Sequence, residues 1–278
     1  MAKPLHHLIV LSDDLHNIAF SHRLFCSLQD DDLSTLYPLL PVSQDNEQKP
    51  LYVATWSMLT ASHQAQIQSR VGMPEEWEST RQLITHLSNS DSQVMMTAIQ
   101  LLRWHANHNF CSRCGASATV SDFELAYVCT VCHYRQYPRI QPCVIVAITR
   151  QFEGRTQLLL AHHRRYGDNP MYGLIAGFVE IGESLEGAVH REVEEETGLA
   201  ISNLRYHSSQ PWAYPSNLMV GFYADCVNEN ASDELKLDDT ELTDAQFFDL
   251  DNLPKIPFKG SIARTLIDEL LVIKTQGV

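Results

Sequence analysis

The stretch that decides the fold is Gly177-Phe-Val-Glu180-Ile-Gly182-Glu183-Ser184-Leu185-Glu-Gly-Ala-Val-His-Arg191-Glu192-Val193-Glu194-Glu195-Glu196-Thr197-Gly198-Leu199. Ser184 is a typical helix N-cap, Gly198 is a typical residue at a helix end, and no proline lies between them. The sequence therefore predicts a helix over Ser184–Thr197.

This predicted helix carries two kinds of glutamate. On a wheel of about 100° per residue the apolar residues share one arc, which we expect to face the core: Leu185, Ala188, Val189 and Val193. Three glutamates fall in the same arc and are predicted to point inward: Glu192, Glu195 and Glu196. Glu186 and Glu194 are predicted to be solvated.

The inward glutamates predict a metal site. Clustered carboxylates are costly to bury without cations, and their oxygens are preferred ligands of Mg²⁺ and Mn²⁺. Gly177 and Gly182 suit a tight loop whose backbone approaches the metal and ligand closely. We expect Arg191 to hold this loop by pairing with Glu183.

The same residues resemble the Nudix box, which they match at nine specified positions: Gly177, Glu183, Arg191, Glu192, Val193, Glu195, Glu196, Gly198 and Leu199. That family folds as an α/β/α sandwich and hydrolyses a nucleoside diphosphate linked to a further group, using a divalent metal on the box helix. The resemblance implies that Glu192, Glu195 and Glu196 are catalytic metal ligands and that the carbonyl of Ala176 is a further ligand. Nudix enzymes differ in the group that accepts the proton of the attacking water, and Glu195 is our first candidate for it.

Four of the seven cysteines form two pairs with fourteen residues between them: Cys111 and Cys114, then Cys129 and Cys132. A two-residue gap lets both thiolates of a pair reach one tetrahedral ion. We therefore predict a zinc ribbon with one structural zinc per chain and a strand over Phe123–Val128. The alternatives are free thiols or disulfides, and disulfides are rare in the cytosol. The other cysteines are predicted to be core residues: Cys26, Cys143 and Cys226.

A second motif is Ser209-Gln210-Pro211-Trp212-Ala213-Tyr214-Pro215-Ser216-Asn217. Its prolines stiffen the chain, and its aromatic rings are able to stack on a base or a nicotinamide. The alternative is a packed turn. The motif resembles the SQPWPFPxS signature of the NADH pyrophosphatase subgroup, which also joins a four-cysteine ribbon to a Nudix domain. The sequence departs from that signature at Ala213, Tyr214 and Asn217, which leaves the polar contact at 217 in doubt.

The subgroup resemblance implies further roles. Glu241 matches the distal metal-binding glutamate. The positions that match substrate contacts are Glu124, Tyr137, Gln210, Pro211, Trp212, Ala213, Tyr214, Pro215, Ser216, Asn217 and Ala263. The resemblance also implies a homodimer. The basic run 162–165 is open to two interpretations, a phosphate contact or a solvated loop.

We predict three domains: a small mixed α/β domain at 1–106, the zinc ribbon at 107–138 and a Nudix α/β/α sandwich with a mixed sheet at 139–278. An amphipathic helix with Ser92 as its N-cap is expected to lead into the ribbon. Its inner face is predicted from residues at helical spacing: Val94, Met95, Ala98, Ile99, Leu102 and His105. β-branched runs over Cys143–Thr149 and Leu218–Val227, and a helical pattern over Ser261–Ile273, complete the third domain.

Composition excludes several classes of protein. With 278 residues and 44% hydrophobic content, the chain is long enough for an ordinary core. No apolar run approaches the ~20 residues of a membrane span, and the N-terminus does not resemble a secretory signal, so we expect a cytoplasmic protein. The formal charge of −14 disfavours non-specific binding of nucleic acid.

The resemblance to the NADH pyrophosphatase subgroup implies a hydrolase that cleaves NADH or NAD⁺ into nicotinamide mononucleotide and AMP with Mg²⁺ or Mn²⁺. One alternative keeps this chemistry and removes NAD caps from RNA 5′ ends. Another is a non-catalytic Nudix module that senses nucleotides and binds nucleic acid. That module would be expected to show a damaged box or a basic ribbon, whereas the box carboxylates are all present and the ribbon carries Asp122 and Glu124.

Overall fold

The computed structural model describes residues 5–19, 26–29, 37–38, 51–227 and 235–276. The chain divides into two compact units. The first comprises Met1–Arg139 with Ala213–Ser216, and the second comprises Ile140–Trp212 with Asn217–Val278. In the part of the chain that the structure describes, no helix is both long enough and apolar enough to cross a membrane.

The first unit contains a mixed sheet in the order β4-β5-β1-β2-β6, with β3 also paired to β1. Its strands are β1 (Leu5–Leu11), β2 (Asn17–Ile18), β3 (Cys26–Gln29), β4 (Tyr37–Pro38), β5 (Leu51–Thr55) and β6 (Glu78–Ser79). β1 and β5 are parallel, and the other pairs are antiparallel. The helices of this region are α1 (Ala61–Val71), α2 (Thr80–Leu83) and α3 (Asn89–Asn107). The predicted α/β character of this region is therefore confirmed.

Helix α3 begins earlier than the sequence suggested. Its N-cap is Ser88, whose Oγ accepts a hydrogen bond from the backbone N–H of Asp91 at 3.1 Å. The prediction of Ser92 as the cap was wrong, because Ser92 already donates its N–H to the carbonyl of Ser88 inside the first turn. The apolar face was predicted correctly, since its members are all buried: Val94, Met95, Ala98, Ile99, Leu102 and His105.

The cysteine region forms a three-stranded antiparallel sheet of β7 (Ala118–Val120), β8 (Tyr127–Cys129) and β9 (Arg135–Gln136). The predicted strand over Phe123–Val128 was wrong for most of its length. Phe123 is 97% exposed and its N–H bonds to Ser121 Oγ, while Ala126 donates to the carbonyl of Glu124. These local bonds make a turn between β7 and β8.

The second unit is built on a mixed sheet in the order β13-β14-β10-β11-β15, with β12 also paired to β10. Its strands are β10 (Gln141–Phe152), β11 (Arg155–His163), β12 (Ile175–Phe178), β13 (Ile201–Trp212), β14 (Asn217–Cys226) and β15 (Leu242–Asp249). β10 and β14 are parallel, which makes the sheet mixed. Its helices are α4 (Leu185–Thr197) and α5 (Ile262–Gln276).

Alternate residues of β10 enter two separate cores. Val144, Val146 and Ile148 pack with Ala188, Val189 and Val193 of α4. Ile145 and Ala147 pack with Ile262, Leu266 and Ile267 of α5. Successive side chains of a strand point to opposite faces, so the two helices cover the two faces of one sheet. The α/β/α sandwich is therefore confirmed.

Cys143 and Cys226 are buried, as predicted for core cysteines. The side chain of Cys26 lies outside the described residues. The strand predictions over Cys143–Thr149 and Leu218–Val227 correspond to β10 and β14, and the helical pattern over Ser261–Ile273 corresponds to α5.

Candidate metal-dependent active site

Helix α4 begins and ends where the sequence predicts. Ser184 Oγ accepts a hydrogen bond from the N–H of Gly187 at 3.0 Å, which satisfies one of the free donors of the first turn. Gly198 ends the helix in a left-handed conformation with φ of 71°. This placement fixes the rotation of the helix and therefore the direction of each glutamate.

The loop before α4 is held by Arg191, as predicted. Its guanidinium donates to both carboxylate oxygens of Glu183 at 2.9 Å and to the carbonyl of Phe178 at 2.8 Å. The bidentate pair lowers the pKa of Glu183 and raises that of Arg191. Gly182 adopts a φ of 84° in the same loop, a conformation that favours glycine.

Glu192 lies in the space left by the missing side chain of Gly177. A Cβ added to Gly177 would be 1.9 Å from Glu192 Cδ. The Glu192 carboxylate pairs with Arg191 at 2.7 Å, and its pKa is raised because burial outweighs that pairing. Strand β12 and helix α4 therefore enclose this carboxylate closely.

Glu196 is the most confined of the glutamates. It is 2% exposed, and neither of its buried carboxylate oxygens has a hydrogen-bond partner among the described residues. Burial raises its pKa to about 8, and the nearby charges of Glu241 and Glu192 add to the effect. A buried carboxylate without a partner is costly, so this site is set up to receive a cation.

The prediction of three inward glutamates was right for Glu192 and Glu196 and wrong for Glu195. The Glu195 side chain lies at the edge of the predicted arc, where it is 59% exposed and pairs with Arg191, one helical turn earlier, at 3.0 Å. Glu186 and Glu194 are exposed, as predicted.

Glu241 is exposed and directly precedes β15. Its charge acts on Glu192 and Glu196, and the charge of Glu195 acts on Glu192. The structure therefore brings the four predicted glutamate ligands into one electrostatically coupled group. Ala176 lies on β12 opposite Ile145 of β10. The Glu196 oxygens, which have no hydrogen-bond partner among the described residues, and the Glu192 carboxylate in the space at Gly177 fit the hard cation that the sequence predicts.

The four ribbon cysteines form a second, separate group. Their sulfur atoms all lie within 4.8 Å of one another, and within the described ranges no other set of three or more potential ligands is as close. The backbone N–H groups of Cys132 and Val131 donate to Cys129 Sγ at 3.4 Å and lower its pKa to about 6. A cluster of four sulfurs with one readily ionised thiol fits a tetrahedral zinc ion.

The predicted substrate residues of the second unit lie where β13, β14 and α5 begin or end. Gln210 connects two of these elements, because its side chain donates to the carbonyl of Gly260 and accepts from the N–H of Ile262. Trp212 is half-buried, and its ring faces that of Phe258 at 6.2 Å. Pro211 and Ala263 are also half-buried, whereas Asn217 is buried, and its Oδ1 has no described partner.

The remaining predicted substrate residues belong to the first unit. Glu124 and Tyr137 are exposed and share a hydrogen bond of 2.9 Å. Ala213 is buried and Pro215 is exposed, and their carbonyls both accept from Arg103. Ser216 is half-buried.

Tyr214 is also half-buried. Its hydroxyl donates to Thr80, and the guanidinium of Arg81 lies 4.5 Å above its ring. The Tyr214 ring is therefore engaged inside its own unit, which is the packed-turn arrangement that the sequence left open.

The residues of the basic run 162–165 have different surroundings. Arg164 is engaged with the segment before β15, since its backbone N–H donates to the carbonyl of Glu241 at 2.8 Å. This contact was missed from the sequence, because no spacing rule relates residues that are so far apart in the chain.

Comparison with known proteins agrees with this geometry. The family model described as NUDIX domain matches residues 140–270, which lie within the sandwich. A Haemophilus influenzae (strain PittGG) protein named NAD-capped RNA hydrolase NudC is 43% identical over 199 residues, covering 70% of this chain and 72% of that relative. The protein of the same name from Mannheimia succiniciproducens is 44% identical over 193 residues, covering 67% and 69%.

The chain belongs to the Nudix family. A third relative with the name NAD-capped RNA hydrolase NudC, from Photobacterium profundum, is 48% identical over 176 residues, or 63% of each chain. The match thus spans slightly less than two thirds of that relative's length.

Proposed function

We propose that this protein is a divalent-metal-dependent hydrolase that cleaves the diphosphate of NADH or NAD⁺ with water. The products are AMP and nicotinamide mononucleotide, in its reduced form when NADH is the substrate. The observation that carries this proposal is the buried Glu196 carboxylate. It has no hydrogen-bond partner among the described residues, and the charges of Glu241 and Glu192 act on it. A site of this kind needs cations, and a diphosphate bound through cations is the substrate class that such a site accepts.

The residues that would hold Mg²⁺ or Mn²⁺ are Glu192, Glu195, Glu196, Glu241 and the carbonyl of Ala176. The cation, when bound, would neutralise phosphate charge and polarise the attacking water. Arg191 keeps the preceding loop in place through Glu183. Gly177 leaves the space in which the Glu192 carboxylate lies.

Glu195 is our candidate for the general base. Its carboxylate is exposed, unlike those of Glu192 and Glu196 on the same helix, so it is able to contact a water molecule. The water oxygen forms a bond to one phosphorus, the bridging P–O bond breaks, and Glu195 takes the proton. The released phosphate keeps the bridging oxygen, so one water is consumed for each bond broken.

The substrate contacts that the family resemblance implies support a dinucleotide. Gln210 joins the end of β13 to the start of α5, next to Ala263. Trp212 offers a half-buried ring at the same end of β13. We propose that this ring stacks on a base or nicotinamide. Roles for Glu124, Tyr137, Ala213, Tyr214, Pro215, Ser216 and Asn217 toward substrate stay predictions.

A second candidate function is removal of NAD caps from RNA 5′ ends. The names of the relatives favour it, since each is called an NAD-capped RNA hydrolase. The chemistry would be identical, because the terminal dinucleotide contains the same diphosphate.

We also propose a structural zinc in the ribbon, a homodimer and a cytoplasmic location.

The deciding experiment measures turnover by the purified full chain on NADH, NAD⁺ and NAD-capped RNA, each with Mg²⁺ and with Mn²⁺. Chromatography should show AMP and nicotinamide mononucleotide in equal amounts from the free dinucleotides. Glu195→Gln should abolish most of this turnover, and Glu194→Gln, an exposed neighbour, should not. If no substrate turns over with either cation, the non-catalytic sensing module becomes the better interpretation.

A further inference from the structure

Two adjacent arginines follow strand β11, and their surroundings differ. The Arg164 guanidinium donates to the carbonyl of Asp239 at 3.0 and 2.6 Å, and its backbone N–H donates to the carbonyl of Glu241 at 2.8 Å. Arg165 is exposed, and its guanidinium makes no hydrogen bond or ion pair with any residue that the structure describes. Its Cζ lies 5.5 Å from the ring centroid of Tyr166.

The position of Arg165 relative to the carboxylates follows from two observations. Its neighbour Arg164 is hydrogen-bonded through the backbone to Glu241. In the β11–β15 ladder His163 pairs with Leu242, so the chain leaves β11 opposite Glu241. Arg165 is the residue after Arg164, and it therefore lies at the edge of the sheet where Glu241 precedes β15.

Arg191 and Arg165 differ in how the described residues engage their guanidinium groups. Arg191 is already paired with Glu183, Glu192 and Glu195. Arg165 keeps its guanidinium donors available to an incoming anion. A guanidinium presents a planar fork of N–H donors that matches phosphate oxygens, and such charge-assisted hydrogen bonds are stronger than neutral ones.

We propose that Arg165 binds the diphosphate of the substrate, while its neighbour Arg164 positions Glu241. The ligand class is a nucleoside diphosphate. The substrate named in this inference rests on the proposed function, but the binding of a diphosphate by Arg165 is testable without turnover.

The first measurement is steady-state hydrolysis of NADH by the full chain with Mg²⁺ at fixed ionic strength. Arg165→Ala should raise KM by about 10- to 100-fold, the range expected when a hydrogen bond between charged groups is lost. Arg165→Lys should recover part of this loss, because it restores the charge but not the fork. The matched control is Arg155→Ala, which removes the same charge at the far end of β11, where Arg155 pairs with Asp249.

The second measurement is calorimetric binding of ADP with Mg²⁺ to the wild type and the two alanine variants. ADP should bind Arg165→Ala at least tenfold more weakly than Arg155→Ala. If ADP binding depends on Arg165 but NADH is not hydrolysed, this inference stands and the proposed function fails. Equal ADP binding by both variants, or none by the wild type, overturns the inference whatever the turnover.

Discussion

The carboxylate of Glu192 occupies the volume that a side chain at Gly177 would need, with Glu192 Cδ only 1.9 Å from the position of an added Cβ. Gly177 lies on β12 opposite Val144, and Glu192 lies on α4. The glycine is therefore required for the position of a candidate metal ligand. Its φ lies outside the positive range, so backbone conformation is not the reason.

Gly177→Ala should displace the Glu192 carboxylate and lower kcat/KM for NADH by on the order of 10²-fold, as expected when a catalytic group is misplaced by about 1 Å. The fold should persist, because only the end of a flexible side chain has to move. Gly187→Ala is the control, since its added Cβ would meet Ser184 Oγ at 3.2 Å and requires only a small shift. Equal activity of the two variants would contradict the assigned role of Glu192.

The raised pKa of Glu196 makes the stability of the metal-free protein depend on pH. The carboxyl has a pKa of about 8 when folded, against a reference value of 4.5. Between these values the folded state holds a proton that the unfolded chain has released, so the free energy of unfolding should fall as pH rises through this window. Thermal unfolding at pH 5.5 and at pH 8, without Mg²⁺ and with zinc retained, measures this effect.

Glu196→Gln should flatten this pH dependence and raise the melting temperature at pH 8, because the neutral amide replaces a buried charge. Mg²⁺ should then stabilise the variant less than the wild type. Glu194→Gln, on the exposed face of α4, should leave both properties as in the wild type. A wild-type melting temperature that rises steadily from pH 5.5 to pH 8 would argue against a buried, partnerless carboxylate.

The sequence predicts the structural features that neighbouring residues specify, and it does not predict those that depend on tertiary contacts. Ser184 and Gly198 define α4 because helix ends are specified by neighbouring residues. No local signal shows which side chains of β10 face which helix, because both faces of the strand are buried. The exposure of Glu195 could not be read from the wheel alone, since it depends on what packs beside the helix.

The sequence also could not distinguish Trp212 from Tyr214. Both are aromatic residues of one motif, yet Tyr214 bonds Thr80 within the first unit, and Trp212 lies in β13. The bond from Arg164 to Glu241 is hidden for the same reason, because it joins elements that become neighbours only through the sheet. Tertiary contacts of this kind leave no periodic trace in the sequence.

These two aromatic residues should respond differently to truncation. Trp212→Ala should raise KM for NADH, since stacking of a ring on a base contributes roughly 1–3 kcal/mol. Tyr214→Ala should chiefly lower the melting temperature, because it removes the contacts with Thr80 and Arg81. Steady-state kinetics and thermal unfolding on both variants test the pair. The reverse pattern would assign stacking to Tyr214 and packing to Trp212.

The two metal sites should be separable, because thiolates prefer zinc and carboxylates prefer hard cations. Elemental analysis of active protein should find one zinc per chain. Brief exposure to dilute EDTA should stop turnover while zinc is retained, and Mg²⁺ should restore activity. Cys129→Ser should lose zinc, whereas Cys143→Ser, at a buried cysteine outside the ribbon, should keep it. Folded, active protein without zinc would refute the ribbon assignment.

Arg164→Ala should act on metal binding more than on binding of the dinucleotide. The substitution removes both guanidinium hydrogen bonds to the carbonyl of Asp239 but leaves the backbone bond to Glu241. The segment that carries Glu241 should therefore become less ordered, and the Mg²⁺ concentration for half-maximal activity should rise several-fold. KM for NADH at saturating Mg²⁺ should change much less than in Arg165→Ala. Titration of activity with Mg²⁺ in both variants distinguishes a positioning residue from a substrate-binding one, and identical profiles would refute the division between the two arginines.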